Sequence, residues 1–302
     1  PYILNVDGCI HDGWLVLEKP TSFDTNFMYY LLSSDKTYKE FSKRAKGAVV
    51  NNLNIELVSS VLVSYPPLSE QTAIASELDN LQTVIDGYKA QLADLDALAQ
   101  SVFLEMFGDP VGNPKGWEKT TISKAGTIIG GSTPKTNDPL NWNDGIHNWV
   151  TPAELKGERY YGATVKKLTD YALKSSKLTL LPVGTVLLSS RAPIGKVAIT
   201  TEPMFCNQGF KNIVCGKRLN NEYLYQYLLF NKNELNRRGN GVTFKEISKR
   251  IVEDFPLILP PLPLQTQFAS RVEAIERQKE QIRQQLKDAE TLMAERMQYY
   301  FG

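Results

Sequence analysis

The chain has 302 residues, 42% hydrophobic and 22% charged, a balance that excludes wholesale disorder. No run approaches the ~18 uninterrupted apolar residues of a membrane-spanning helix, and Pro1–Ile10 lacks the basic-then-apolar order of a secretory signal. The formal net charge of +1 hides a partition: residues 109–259 hold 21 Lys+Arg against 13 Asp+Glu, a net +8, while residues 66–108 hold Lys89 against seven carboxylates, a net −6. By charge the first segment is a candidate polyanion binder and the second would repel a polyanion.

Taken in order, the chain opens at Pro1 without Met, in what reads as a strand, and so resembles a fragment. Asp24–Arg44 and a following strand, Ile55–Tyr65, complete the first 65 residues. Pro66-Pro67 then marks a helix start, because a Pro pair precedes a helix but does not lie inside one. Beyond it, Ile74, Leu78, Leu81, Ile85, Tyr88, Leu92, Leu95, Ala99, Val102 and Met106 alternate at spacings of four and three, an a/d seam about five heptads long. The ~39 residues from Leu68 to Met106 would span roughly 58 Å as a helix, on the order of one and a half turns of B-DNA at about 34 Å each.

Residues 109–259 read as an α/β domain. Thr127–Gly131, Val183–Leu188 and Lys196–Thr200 are strand-like between Gly and Pro turns, and Asn221–Arg238 is a helix with its apolar residues on one side. Pro260-Pro261 opens a second long helix, with a seam at Phe268, Val272, Ile275, Ile282, Leu286, Ala289, Met293 and Tyr300, broken by Lys279 and Arg296. The domain boundaries are therefore 1–65, 66–108, 109–259 and 260–302. The two seams favour antiparallel pairing of the helices, which would hold a domain at each end.

The two halves are related. A shift of 194 residues aligns Arg44–Gly108 with Arg238–Gly302 without a gap, with sixteen of 65 pairs identical, and Cys9–Trp14 resembles Cys206–Phe210 more weakly. A duplicated unit is the natural reading. Pro1 aligns near residue 196 or 197, so about 88 residues equivalent to 109–196 are absent from the first copy.

A reaction centre is hard to find. Three scattered cysteines (Cys9, Cys206, Cys215) fit neither a disulfide framework nor a zinc site and point to a reducing, cytoplasmic setting. His11 and His147 have no partner suggested by spacing; no Walker loop or G-x-G-x-x-G occurs, and Gly239-Asn-Gly241 reads as a turn. Tyr65-Pro-Pro-Leu68 and Leu259-Pro-Pro-Leu262 lack the leading Asn or Asp of an adenine methyltransferase site and open helices instead. What the sequence offers is polar loops. Gly130-Gly-Ser-Thr-Pro-Lys-Thr-Asn137 suits phosphate contacts and base edges. Ser189-Ser-Arg-Ala-Pro-Ile-Gly-Lys196 places Arg191 and Lys196 on a rigid turn, and Arg matches guanine O6 and N7. Asn207-Gln208 with Lys211, and Arg237–Lys245, add donors. Trp142, Trp149 and Tyr160-Tyr161 read as core residues more readily than as stacking wedges.

Together these features resemble the specificity subunit of type I restriction–modification systems, over essentially the whole chain. The residues that carry the resemblance are the repeated P-P-L-x-x-Q-T at Pro66–Thr72 and Pro260–Thr266, Gly130–Lys135, Ser190–Gly195, Asn207–Phe210 and the Phe-Gly-Asp-Pro junction at Phe107–Pro110. The resemblance implies target-recognition domains of mixed strands and helices, each reading half of a bipartite double-stranded DNA site. It also implies two long helices in an antiparallel coiled coil that sets the spacer. Its implied DNA-facing residues are Ser132, Thr133, Lys135, Ser190, Arg191, Lys196, Gln208 and Lys211; the seam residues are Leu78, Leu81, Ile85, Leu92, Val272, Ile275, Ile282 and Leu286. No catalytic residue, metal or cofactor is expected on this chain. The resemblance assigns S-adenosylmethionine to two methyltransferase subunits and ATP and Mg to two translocase–nuclease subunits of a restricting complex, in a bacterial or archaeal cytoplasm. The sequence departs from the family pattern at its N-terminus, where most of the first recognition domain is missing. Two other readings stay open: a coiled-coil adaptor that binds only protein, and a self-sufficient DNA-modifying enzyme.

Overall fold

The computed structural model describes residues 1–11, 13–18, 20–45, 53–239 and 245–302. Along the chain run helices α1 (Thr25–Ser33), α2 (Asp35–Arg44), α3 (Ile55–Ser59) and the long α4 (Leu68–Phe107). Strand β1 (Glu118–Thr121), helix α5 (Ile122–Ala125), β2 (Gly126–Gly130), β3 (His147–Val150), β4 (Tyr160–Tyr161), β5 (Lys166–Leu168) and α6 (Asp170–Ser175) follow. Next come β6 (Val186–Leu188), β7 (Val197–Thr200), β8 (Phe205–Cys206), β9 (Lys211–Cys215), α7 (Asn221–Phe230), α8 (Lys232–Arg238), α9 (Lys249–Glu253), β10 (Pro256–Leu259) and the long α10 (Leu262–Phe301). Both long helices start within two residues of their Pro-Pro pairs, as the sequence predicts.

The chain divides into two compact units, Pro1–Leu95 with Arg277–Gly302, and Asp96–Glu276. The division falls inside α4 and α10 rather than at the predicted boundaries near 66, 108 and 260. The reason is that each helix end is built into a core. In the first unit Phe27, Tyr30 and Leu31 of α1 and Ile74, Ala75 and Leu78 of α4 pack with Phe301 from the end of α10. In the second unit Tyr223 of α7 and Phe268 and Val272 of α10 pack with Phe103 and Phe107 from the end of α4. These are the same positions of the repeat: Phe107 meets Tyr223 at 4.8 Å between ring centroids, and Phe301 meets Phe27 at 5.3 Å.

The long helices pair antiparallel. In the first unit Glu77 meets Arg296 at 2.9 Å and the Tyr300 hydroxyl at 2.6 Å, and Lys89 meets Glu290 at 3.2 Å. Leu78, Ile85, Val272 and Ile275 are buried, and Leu81, Leu92, Ile282 and Leu286 are half-buried. Near the end of α10 the inward residues are Met293, Met297 and Tyr300, while Arg296 flanks the seam as an ion-pair partner. Lys279 does lie in the seam, at 6% exposure.

Among the described residues the second unit carries all of the β-structure. Its main sheet has the order β2-β9-β6-β7-β4, antiparallel except for the β4–β7 pair; a smaller sheet has the order β5-β3-β8, and β1 pairs with β10. Two sequence expectations fail for one physical reason. The strand expected over Ile55–Tyr65 is the short helix α3 followed by irregular chain, and the described residues at the N-terminus form no strand. In the second copy α9 and β10 occupy the matching positions, and β10 is a strand because β1 supplies its ladder, Glu118 opposite Leu259 through Thr121 opposite Pro256. Leu62, Tyr2 and Val6 face no such ladder and are exposed. The helix expected over Asn221–Arg238 breaks at Asn231 into α7 and α8. Moreover α7 is buried over every residue from Glu222 to Leu228 rather than on one side, as befits a helix enclosed by neighbours.

Candidate nucleic-acid interface

Three loops, residues 131–137, 189–196 and 207–210, converge where strands of the second unit end. The first follows β2. Its Gly131 is required: a Cβ there would stand 2.2 Å from the carbonyl oxygens of both Cys206 and Asn207. That close approach lets the Ser132 N–H donate to the Cys206 carbonyl at 3.0 Å. Ser132 Oγ donates to the Lys177 carbonyl at 2.8 Å, and the buried Trp149 donates its ring N–H to the Ser132 carbonyl at 3.1 Å. Three residues further on, the Lys135 carbonyl accepts from Trp142 Nε1 at 3.0 Å and Asn141 Nδ2 at 3.1 Å, which anchors the backbone and leaves the Lys135 side chain exposed. Trp142 and Trp149 stack edge to face at 4.9 Å, so they brace this loop from below.

The second loop, residues 189–196, joins β6 to β7. Ser189 closes it: its N–H donates to the Lys196 carbonyl at 2.9 Å, its hydroxyl donates to the Pro193 carbonyl at 2.7 Å, and it accepts from the Lys196 N–H at 2.8 Å. Gly195 (φ +86°) and Ala192 (φ +51°) make the turn. On one side the Ser190 N–H donates to the Gly209 carbonyl at 2.7 Å, and on the other the Ile247 N–H donates to the Ser190 carbonyl at 3.0 Å. Residues 189–191 are thus laced between residues 208–211 and 246–247, a backbone scaffold that fixes their side chains.

The side chains form one polar cluster. Thr133 Oγ1 bonds Gln208 Oε1. Lys211 Nζ donates to Ser190 Oγ at 3.2 Å, to the Gln208 carbonyl at 3.3 Å and to Glu246 Oε1 at 3.4 Å. Arg191 Nη1 lies 3.8 Å from Glu246 Oε2, with both side chains about 40% exposed. Of the eight residues expected to face DNA, the structure therefore links Thr133, Ser190, Arg191, Gln208 and Lys211, with Glu246 between the two cations. Ser132 and Lys135 stand on the adjoining loop. Lys196 is placed differently: its ammonium donates to the Pro152 and Leu155 carbonyls at 2.9 and 2.8 Å, so it ties down a neighbouring loop. Ser190 is fully buried and presents nothing to solvent. Of the stretch Arg237–Lys245, and of the Gly239–Gly241 turn, residues 240–244 lie outside the described residues. Below the cluster, burial pushes the Cys206 thiol up to about 12, so it is held as a protonated packing group.

Sequence reasoning passed over three groups. His147 pairs with Asp170 at 2.7 Å, and that hydrogen bond holds the Asp170 carboxyl below its usual range. Glu246 drew no attention as one acidic residue in a basic stretch. Arg159 is buried on two carboxylates and was not singled out; its only signal was a lone Arg beside an aromatic pair.

The fold and its loops define a class: a duplicated scaffold of long paired helices with a β-rich unit that bears a cationic loop cluster. The chain belongs to the family described as the type I restriction modification DNA specificity domain, which it matches over residues 3–96 and 114–289. It is 36% identical over 162 residues to the type I restriction enzyme MjaIX specificity subunit of Methanocaldococcus jannaschii, covering 52% of this chain and 37% of that protein. It is 26% identical over 285 residues to the putative MjaX specificity subunit of the same organism, covering 88% of this chain and 65% of that protein. The chain thus spans less than two thirds of the length of either relative. Among solved structures it is similar to a chain from a study of complex assembly and conformational transition in the type I restriction–modification system. That match has a TM-score of 0.61 at 21% identity and covers 91% of this chain and 70% of that one. The type I S subunit from M. genitalium matches with a TM-score of 0.57 at 15% identity, covering 94% and 74%. At these identities the structural likeness speaks for the fold.

Proposed function

We propose that this chain is a non-catalytic DNA-recognition component of a type I restriction–modification complex. Residues 109–259 read one half of a bipartite site in the major groove, and the paired helices set the spacer and seat methyltransferase subunits. Chemistry resides in those partners, with S-adenosylmethionine on the methyltransferases and ATP and Mg on translocase–nuclease subunits where the complex restricts. Such work on chromosomal DNA is done in the cytoplasm.

The observation that carries this reading is the convergence of three backbone-laced loops bearing Thr133, Lys135, Arg191, Gln208 and Lys211 within a segment of net charge +8. Rigidly held Arg and Gln side chains suit guanine and adenine edges, and Lys suits phosphate. The net −6 of residues 66–108 suits a protein partner better than DNA.

The test is base-modification sequencing of DNA from cells expressing the chain with a cognate methyltransferase, with purified-complex binding alongside. We expect a bipartite methylated motif. R191A should weaken cognate binding by roughly 1–3 kcal/mol while complex assembly survives, and affinity should fall steeply with salt. Methylation without any sequence preference traceable to residues 109–259 would favour the protein-only adaptor instead.

A further inference from the structure

The second unit contains a buried ionic node that the DNA-reading loops do not use. Arg159, 6% exposed, directly precedes β4 at the edge of the main sheet. Its carbonyl accepts the Ile199 N–H of β7 at 2.7 Å, so its backbone moves with the sheet. Its guanidinium reaches away from that sheet to two helices. Nη1 donates to Glu222 Oε2 at 3.0 Å and Nη2 to Gln226 Oε1 at 3.1 Å, both on α7, and Nε donates to Glu276 Oε1 on α10 at 3.3 Å. The ring of Tyr225 lies 4.2 Å from the guanidinium carbon. One side chain therefore joins the sheet edge, the helix behind it and the long helix α10.

The node is a costly way to gain stability. Two carboxylates share one guanidinium away from water, and burial pushes the Glu222 carboxyl up against the pull of Arg159. Apolar residues of similar volume commonly do as well or better in stability. What a planar fork of five donors adds is a fixed angle, since an apolar contact tolerates sliding and a three-way fork does not. The first unit shows that this joint of the repeat does not demand an arginine. There Asn26 and Tyr30, which match Glu222 and Gln226, donate directly to Asp79 of α4 at 2.6 and 2.7 Å.

We infer that Arg159 is a positioning residue for spacer-length specificity, fixing the angle at which the recognition sheet rides on α10. Strand β7 carries the constraint: Ile199, bonded to Arg159, lies three residues from Lys196, where the loop bearing Arg191 ends. A change of angle at the node shifts the phase of that loop along DNA without altering any base-contacting side chain. The inference rests on the DNA-reading function proposed above.

The experiment uses the full chain in complex with its methyltransferase. Wild type and R159M are compared by modification sequencing, then by binding to duplexes whose half-sites are separated by the cognate spacer and by one base pair more or less. We expect R159M to keep the half-site sequences and to raise the relative occupancy of the off-length spacers by about tenfold. R159K, which keeps the charge but not the fork, should fall between the two. If R159M does not accumulate in folded form, E276Q, which weakens only the α10 arm, carries the same expectation. Unchanged spacer preference in a folded variant, with only a lower melting temperature, makes the node a structural brace and overturns the inference alone. Absence of any bipartite motif with the wild-type chain overturns the DNA-reading function and the inference with it.

Discussion

Glu246 holds two cations of the loop cluster. Its two oxygens lie 3.4 Å from Lys211 Nζ and 3.8 Å from Arg191 Nη1, so under the proposed function this carboxylate competes with a phosphate or base edge for both. The Arg191–Glu246 pair, about 40% exposed on both sides, is worth ~0.2–1 kcal/mol, enough to tune affinity without blocking it. E246Q should therefore bind non-specific duplex roughly two- to fivefold more tightly and steepen the salt dependence by about one unit of slope, with no loss of fold. Fluorescence anisotropy across a salt series measures both; a flat or weaker response would remove Glu246 from the interface. The loops around it were legible because Gly, Ser, Thr, Pro and Lys in short runs specify exposed turns. Glu246 was not, because its importance comes from cations 35 and 55 residues away in sequence. The same holds for Lys196, whose reach is decided by two carbonyls on a loop that only the tertiary fold brings near.

Each long helix begins on the same device. Gln71 is fully buried; it donates to the Ser22 and Pro66 carbonyls at 3.0 and 2.9 Å and accepts the Asp24 N–H at 3.0 Å. Gln265, equally buried, donates to the Arg218 and Pro260 carbonyls at 3.0 and 2.7 Å and accepts the Asn220 N–H at 2.8 Å. Asp24 and Asn220 in turn cap α1 and α7, so one amide ties the start of a long helix to the start of the helix packed on it. Q265A leaves a part-buried N–H, a part-buried carbonyl and a buried carbonyl short of partners and should cost ~2–4 kcal/mol, read as a shift in denaturant midpoint at constant slope. Q265E, with the same shape but without the donor, should cost at least as much, whereas equal stability of all three proteins would mean that water replaces the amide. The repeat displayed these glutamines openly, as identical residues at matched positions, and the Pro-Pro pairs placed both helix starts. Strand Ile55–Tyr65 was misread because its apolar residues satisfy a strand pattern, and only the ladder partner that β10 finds in β1 turns such a pattern into a strand.

At the scale of the molecule, the two units differ in how much core they own. The second is built on three clusters, one around Phe103, Tyr223 and Phe268, one around Leu187, Ala198 and Phe210, and one around Trp149 and Leu168. Among the described residues the first rests on a single cluster around Phe27, Leu78 and Phe301, and leaves Tyr2, Leu4, Val6 and Val16 exposed. Free energy of local opening follows buried apolar contact, so the first unit should open more readily. The inequality lies in the strands between Glu118 and Cys215, whereas the described residues of the first unit form no strand. F27A removes a residue 2% exposed at the centre of the first unit's cluster, a change that costs ~3–5 kcal/mol in a packed core. Amide exchange followed by mass spectrometry should then speed up over α1, α2 and residues 68–95. The amides of β6, β7 and β9 should keep their wild-type rates, because their hydrogen bonds and packing lie within the other unit. Equal acceleration in those strands would mean that the chain unfolds as one cooperative body. In that case the long helices, which run through both units, would carry stability as well as geometry from one to the other.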